Sequence, residues 1–233
     1  LCAEGLTKRF GPVSAAEDVS LELEPGSLTA LIGPNGSGKT TVLRMLAGAL
    51  LADAGRITLD SRDVTRAPAA ALVHAGVVRT LQSRAVFDEL TVLENVLVGV
   101  NRSRRHGGAV RALASTPLFR ADSRHAERRA LAALATVGLA EAAERIAAEL
   151  PGSDQQRLMI AVALGTNPAI ILLDEPSAGA TGREVRRLAA ILARLRAEGR
   201  AVLLVEHNLR LVRAVADEVL EFEDGRIVER TRI

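Results

Sequence analysis

The sequence predicts an α/β fold: a mainly parallel sheet with an antiparallel β flank and an inserted α-helical subdomain. Three observations predict it. Short apolar runs alternate with helix-patterned segments, as in βα units whose sheet is covered on both faces. A glycine-rich loop, Gly33-Pro34-Asn35-Gly36-Ser37-Gly38-Lys39-Thr40-Thr41, joins one apolar run to a helix. The fully apolar run Ile170–Leu173 ends in two carboxylates, Asp174 and Glu175, at the strand end where open α/β sheets carry their sites.

Taken in order, Ala3–Arg9, Val19–Leu23 and Leu28–Ile32 read as strands, with Pro25-Gly26 a turn between the last two. The strands before the glycine loop form the antiparallel flank. A helix-favouring run, Val42–Ala47, leaves the loop. Arg56–Leu59 and Val77–Leu81 are rich in β-branched and aliphatic residues and read as strands. From Thr91 to Leu164, Ala, Leu, Arg and Glu recur at helical spacing, divided by the loop Asn101–Gly108 and the breakers Pro117 and Gly138. Strands return at Ile170–Leu173 and Ala201–Glu206. Between them an amphipathic helix, Glu184–Glu198, puts Leu188, Ile191, Leu192 and Leu195 on one face. Val219–Phe222 and Arg226–Glu229 flank Asp224-Gly225 as a hairpin. The chain therefore divides into a flank and core over 1–88, a helical subdomain over 89–165 and the rest of the core over 166–233.

The 233 residues are 48% hydrophobic, enough for a full core, and allow one domain or a core with a satellite. Lys plus Arg number 30 against 28 acids, a net charge of +2. That lacks the concentrated basic stripe of a nucleic-acid binder, so no nucleic-acid partner is expected. The local cluster Arg102, Arg104, Arg105 and His106 reads as a solvated loop or a phosphate patch. Cys2 is alone, so no internal disulfide is possible and a reducing compartment is expected. No apolar run reaches the length of a membrane span. A start at Leu1 that enters a strand almost at once reads as a domain cut from a longer chain or a trimmed one.

The glycine loop carries the chemistry. A strand holds it, and the helix that follows aims its unpaired N–H groups and positive dipole end at an anion. Gly33, Gly36 and Gly38 let the backbone turn sharply and approach that anion without a Cβ. Lys39 supplies a cation for β- and γ-phosphates, and the Thr40 hydroxyl suits a Mg²⁺ ligand. This is the phosphate-binding loop of a P-loop NTPase core. Asp174 is suited to hold Mg²⁺ through water, and Glu175 to polarise the water that attacks the γ-phosphate. Gln82, after the strand Val77–Leu81, could ligate Mg²⁺ or hold that water, or be a surface glutamine. His207, after the strand Val202–Val205, could hydrogen-bond the γ-phosphate and the water. Phe10 either stacks on adenine or belongs to the core.

In this order, Phe10, the P-loop, Gln82, a helical block, Leu172-Leu173-Asp174-Glu175-Pro176 and His207 resemble the ATP-binding subunit of ABC transporters over essentially the whole chain. Arg79-Thr80-Leu81-Gln82, Val86-Phe87, Leu90–Gly99, Asp174–Gly179 and the insert around Pro117-Leu118-Phe119-Arg120 are most similar to the branched-chain amino-acid uptake class. The resemblance implies an ATPase using ATP and Mg²⁺. It implies a head-to-tail pair with a second ATP-binding subunit, coupling to transmembrane permease subunits, and an indirect link to a periplasmic or extracellular solute-binding protein. It places the chain peripherally on the cytoplasmic face of the cell membrane, or as a domain of a larger permease fusion. It assigns adenine stacking to Phe10, phosphate binding to Gly33 and Asn35–Thr41, Mg²⁺ contacts to Thr40, Gln82 and Asp174, catalysis to Glu175 with Gln82, and γ-phosphate sensing to His207. The block Ser83–Val98 takes a helix of the permease or packs the two subdomains together.

The signature segment departs from the family pattern Leu-Ser-Gly-Gly-Gln: here it is Leu150-Pro151-Gly152-Ser153-Asp154. These residues serve the partner's ATP in the family. Pro151 has neither hydroxyl nor N–H, Ser153 adds a side chain, and Asp154 adds a negative charge. A lost neutral hydrogen bond costs about 1 kcal/mol. A like charge ~8 Å away costs on the order of 2 kcal/mol per unit phosphate charge, so Asp154 is the larger expected defect unless it points away. Ala180-Thr181 also replaces the family's Leu-Asp or Leu-Asn. The residues acting on the chain's own ATP are complete while those lent to a partner are altered. Two readings follow: an importer ATPase forming half of an asymmetric pair, or a slow regulatory nucleotide-binding module.

Overall fold

The computed structural model describes residues 1–80, 86–102 and 117–233, and the side chains of all of these but 101–102 and 117–123. Two compact units are built from Leu1–Gln82 with Pro168–Ile233, and from Ser83–Asn167.

In the first unit, the described residues form two sheets. β1 (Cys2–Phe10) and β2 (Val13–Glu22) make a hairpin across Gly11-Pro12, and β4 (Ala54–Leu59) and β5 (Arg62–Asp63) extend the other side in the order β2-β1-β4-β5, antiparallel throughout. β2 starts six residues earlier than the sequence suggests. Its first half does not alternate cleanly, because the register against β1 slips repeatedly and Asp18 sits at φ +55°, as at a bulge.

The second sheet runs β10-β9-β3-β8-β7-β6. β3 (Leu28–Ile32), β8 (Ala201–Val205), β7 (Ile170–Asp174) and β6 (Val77–Arg79) are parallel neighbours, and β9 (Glu218–Glu223) lies parallel on the far side of β3. β10 (Arg226–Arg232) closes the hairpin antiparallel to β9. All residues of β7 and β8 are buried, which is why these strands read as unbroken apolar runs. α1 (Lys39–Leu46), α2 (Ala69–His74), α6 (Gly182–Ala197) and α7 (Leu209–Val215) belong to this unit. α6 buries the four predicted residues Leu188, Ile191, Leu192 and Leu195, and its first turn is fixed by a capping box between Thr181 and Glu184. The short helices α2 and α7, too brief to show a period, escape the sequence reading. Leu31, Leu43, Leu46, Leu203, Leu220 and Phe222 are among the residues of one buried cluster in this unit.

The second unit holds α3 (Val92–Arg102), α4 (Pro117–Val137) and α5 (Gly152–Gly165). Thr91 and Glu94 cap α3 reciprocally, at 2.8 and 3.1 Å. Pro117, one of the two expected breakers, is the first residue of α4, where a missing N–H costs nothing. Gly138 ends α4 at φ +71°.

Candidate functional site

Sheet register assembles the site. Leu31 of β3 lies beside Val205 of β8, and Val205 beside Asp174 of β7. The carboxyl ends of three consecutive sheet neighbours therefore bring together the glycine loop after β3, Asp174-Glu175 at the end of β7, and Glu206-His207 after β8.

The loop exposes Pro34, Asn35 and Gly36 at its crest and buries Ser37 and Lys39. Thr40 and Thr41, in the first turn of α1, are half-buried. Gly38 caps α1 with no side-chain hydrogen bond, and the first turn carries no acid, leaving backbone N–H groups and the dipole end for an anion. The three glycines, however, do different things. A Cβ on Gly33 would lie 1.9 Å from the Phe222 carbonyl oxygen, and one on Gly38 1.8 Å from that of Ala15. Their freedom is demanded by the chain's own packing, a requirement beyond the sharp turn and the anion approach that the sequence suggests. Only at Gly36 of the three does an added Cβ meet nothing within 4 Å. The β9–β10 turn buttresses the loop, with Gly225 N–H donating to the Ser37 carbonyl at 3.0 Å.

Lys39 Nζ is turned back onto the loop, donating to the carbonyls of Gly33 (2.9 Å) and Pro34 (2.6 Å) and the hydroxyl of Ser37 (3.4 Å). Burial pushes its pKa below the usual lysine value, while the carboxylates of Glu175 and Asp174 pull the other way. Thr40 Oγ1 donates to Asp174 Oδ1 at 3.4 Å, and Asp174 Oδ2 accepts from Arg79 Nη2 at 2.8 Å. Two hard oxygens facing each other beside the loop fit a magnesium ion. The uncapped helix start, the open Gly36 and the buried ammonium fit a polyphosphate.

Glu175 adopts φ +48°, a sparsely populated conformation. Its N–H is anchored on the Val205 carbonyl at 2.9 Å, and its Oε1 lies 3.0 Å from His207 Nε2. Both side chains are partly exposed, 31% for Glu175 and 39% for His207. Glu206, which the sequence reading passed over, is buried at 2% exposure. Its Oε1 accepts from Ser177 N–H at 2.8 Å, and its Oε2 from the N–H groups of His207 (3.0 Å) and Asn208 (3.2 Å). One carboxylate thus ties the loop carrying Glu175 to the loop carrying His207. The only sequence signal was a charged residue at the end of a wholly apolar strand.

Phe10 is 48% exposed at the end of β1, with Lys8 Nζ 5.7 Å from its ring centroid. The core alternative for Phe10 falls, because the side chain stands about half exposed. Gln82 lies outside the described residues.

In the second unit, Pro151 is the N-cap of α5, followed by Gly152, Ser153 and Asp154 in its first turn. A Cβ on Gly152 would meet nothing within 4 Å. Asp154 Oδ1 is held by Arg157 Nη2 at 2.6 Å and accepts from Ser153 Oγ at 3.4 Å. The negative charge expected to be unpaired therefore has a cationic partner three residues on. Pro151 caps α5 without a side-chain hydrogen bond. Arg157 also donates to the Val137 carbonyl at 2.7 Å, closing the end of α4.

Comparisons with known proteins show the family. The family model for the ABC transporter matches residues 16–178. The chain is 40% identical over 226 residues to the high-affinity branched-chain amino acid transport ATP-binding protein LivG of Salmonella typhimurium, covering 97% of this chain and 88% of that one. It is 39% identical over 222 residues to the corresponding protein BraF of Pseudomonas aeruginosa, covering 95% and 87%. Among solved structures, the ADP conformation of an ATP-binding cassette of an ABC transporter superposes with a TM-score of 0.84 at 32% identity, covering 100% of this chain and 90% of that one. Matched by the family model over most of its length and by these relatives over nearly all of it, this chain belongs to the ABC transporter family as one of its ATP-binding subunits.

Proposed function

We propose that the chain binds Mg–ATP against its glycine loop and hydrolyses it, with Glu175 as the general base, to drive import of branched-chain amino acids or a similar small polar solute. One observation carries the reading: Lys39, Thr40, Asp174, Glu175 and His207 converge from three neighbouring strand ends. Phe10 offers its exposed face to adenine. The loop N–H groups and Lys39, once it swings off its own carbonyls, hold the phosphates. Thr40 and Asp174 would hold the magnesium, with Gln82 a further candidate. Magnesium, when bound, supplies positive charge that offsets the charge developing on the transferred phosphoryl group. Glu175 takes the proton of the attacking water, and the hydrogen bond to His207 orients it.

The partner is a second ATP-binding subunit, and the signature segment favours a non-identical one. Pro151 supplies neither donor that the family serine offers, although Asp154 is neutralised by Arg157. Two copies of this chain would place the altered segment at both sites, whereas a partner with an intact segment would leave one site fully equipped. A permease helix is accommodated by residues 86–98, where Phe87 is 55% exposed and Asn95 pins the preceding turn through Phe87 N–H at 2.7 Å. These partners put the chain at the cytoplasmic face of the membrane. The competing reading, a slow regulatory module, is favoured by Pro151 and opposed by the Glu175–His207 pair.

ATPase assays on the isolated chain and on reconstituted pairs separate these readings. Weak turnover alone and brisk turnover with a distinct partner are expected, and the triple variant Pro151→Ser, Ser153→Gly, Asp154→Gln should raise the isolated rate. Brisk turnover by the unmodified homodimer sinks the asymmetric pair. Weak turnover in every pairing favours the regulatory module.

A further inference from the structure

The Asp174 carboxylate has two oxygens with different duties. Oδ1 faces Thr40, while Oδ2 is taken by Arg79, whose guanidinium reaches it at 2.8 Å from the neighbouring strand β6. Parallel pairing sets this up, because Arg79 lies in register with Leu172, two residues before Asp174. The Asp174 side chain is 0% exposed and that of Arg79 12%. A buried carboxylate without a counterion is strongly disfavoured. Lys39, the other nearby cation, spends its donors on the loop's own oxygens. The Arg79 pairing is also incomplete, since Nε is buried with no hydrogen-bond partner among the described residues. Buried pairs of this kind are poor stabilisers relative to apolar residues, so fold stability alone does not account for an arginine here.

We propose that Arg79 is the resident counterion of Asp174, holding the carboxylate and neutralising it while no metal is bound, and thereby setting how much magnesium the site requires. The proposal rests on the assignment of Asp174 as a magnesium ligand. In the empty protein the arginine charge occupies the electrostatic place that the metal takes on loading. Magnesium binding then gains less than it would from an unpaired carboxylate, because the attraction is already partly spent and the incoming cation faces a like charge. Removing Arg79 destabilises the metal-free state more than the loaded one. Arg79 acts through Asp174 and is a positioning residue.

The test uses the full chain, a fluorescent N-methylanthraniloyl derivative of ATP, and magnesium chloride titrated at fixed nucleotide. Arg79→Met, which keeps the length of the stem, should lower the melting temperature without metal. It should also lower the magnesium concentration for half-maximal binding by at least about fivefold. Arg79→Lys, retaining the charge, should stay close to the parent in both. In the Asp174→Asn background, Arg79→Met should cost far less metal-free stability. If Arg79→Met leaves the half-saturating magnesium unchanged or raises it, the counterion role is overturned. Should Arg79→Met not fold, an unmoved half-saturation in Arg79→Ala overturns it equally. If Asp174→Asn leaves the magnesium dependence intact, the metal assignment itself fails and the proposal falls with it. Loss of that dependence with Arg79→Met inert removes only the counterion.

Discussion

Glu175 Oε1 lies 3.0 Å from His207 Nε2, so the residue following β7 and the residue two past the end of β8 share one hydrogen bond. That bond steers a carboxylate that is already held by an unusual backbone, φ +48°, and it links the ends of two neighbouring strands. Glu175→Gln should lower ATP turnover about 10²–10⁴-fold, the usual worth of a general base, while nucleotide binding persists and the ATP-bound dimer lives longer. His207→Ala should cost on the order of 10- to 100-fold, the rate equivalent of one hydrogen bond to a charged group. Because the two act as a unit, the double variant should be little slower than Glu175→Gln alone. Additive losses in single-turnover assays would separate their roles.

Glu206 accepts three backbone N–H groups from buried surroundings. Glu206→Ala leaves those donors without their carboxylate partner and should cost about 2–4 kcal/mol, read by urea denaturation. Glu206→Gln retains one acceptor oxygen and should cost less. Turnover should fall in both below what the loss of folded protein explains, because the Glu175 and His207 loops are no longer joined.

The loop glycines separate packing from binding. Gly33→Ala and Gly38→Ala drive a methyl into backbone carbonyls at 1.9 and 1.8 Å and should destabilise by at least about 3 kcal/mol. Gly36→Ala meets open space, so its stability cost should be only the ~1–2 kcal/mol of a left-handed residue. Its main defect should appear in nucleotide affinity. Equal loss of stability in all three, by chemical denaturation, would contradict this division.

Asp53 accepts from Lys8 Nζ at 2.6 Å and from Arg9 N–H at 2.8 Å. The hydrogen bond from Lys8, followed by that from the Arg9 backbone, holds its pKa below the ordinary 3.8. The unfolded chain then takes up the proton first as acid is added. The contribution of Asp53 is therefore complete above pH 3.8 and is lost as pH falls through the depressed folded value. Asp53→Asn should flatten the acid limb of the stability curve below that pH and leave its shape near neutrality unchanged. Carboxyl-detected NMR titration should find the Asp53 midpoint below the free value.

The P-loop, the two carboxylates and the paired strands were legible because each is written in contiguous residues. Glycines punctuate the loop, and five apolar residues make a buried strand. β2 was half-legible, since a bulge erases the alternation on which strand reading depends. Glu206 and Arg79 were not legible as site residues. A charge beside an apolar run shows that it needs a partner and says nothing of which one.

What the sequence by itself determined, then, is which groups are present: a glycine-rich loop with its lysine, hydroxyl and carboxylate oxygens and an imidazole, set at the ends of apolar strands. Only the tertiary structure decided how they are used. Arg79 meets Asp174 across 95 residues and Thr40 meets it across 134. Gly33 and Gly38 answer to the carbonyls of Phe222 and Ala15, Phe10 stays out of the core, and Asp154 spends its charge on Arg157. The reason is physical. Local sequence sets backbone preference and hydrophobic period, whereas charge compensation and steric exclusion depend on neighbours that only sheet register and helix packing bring within a few ångströms.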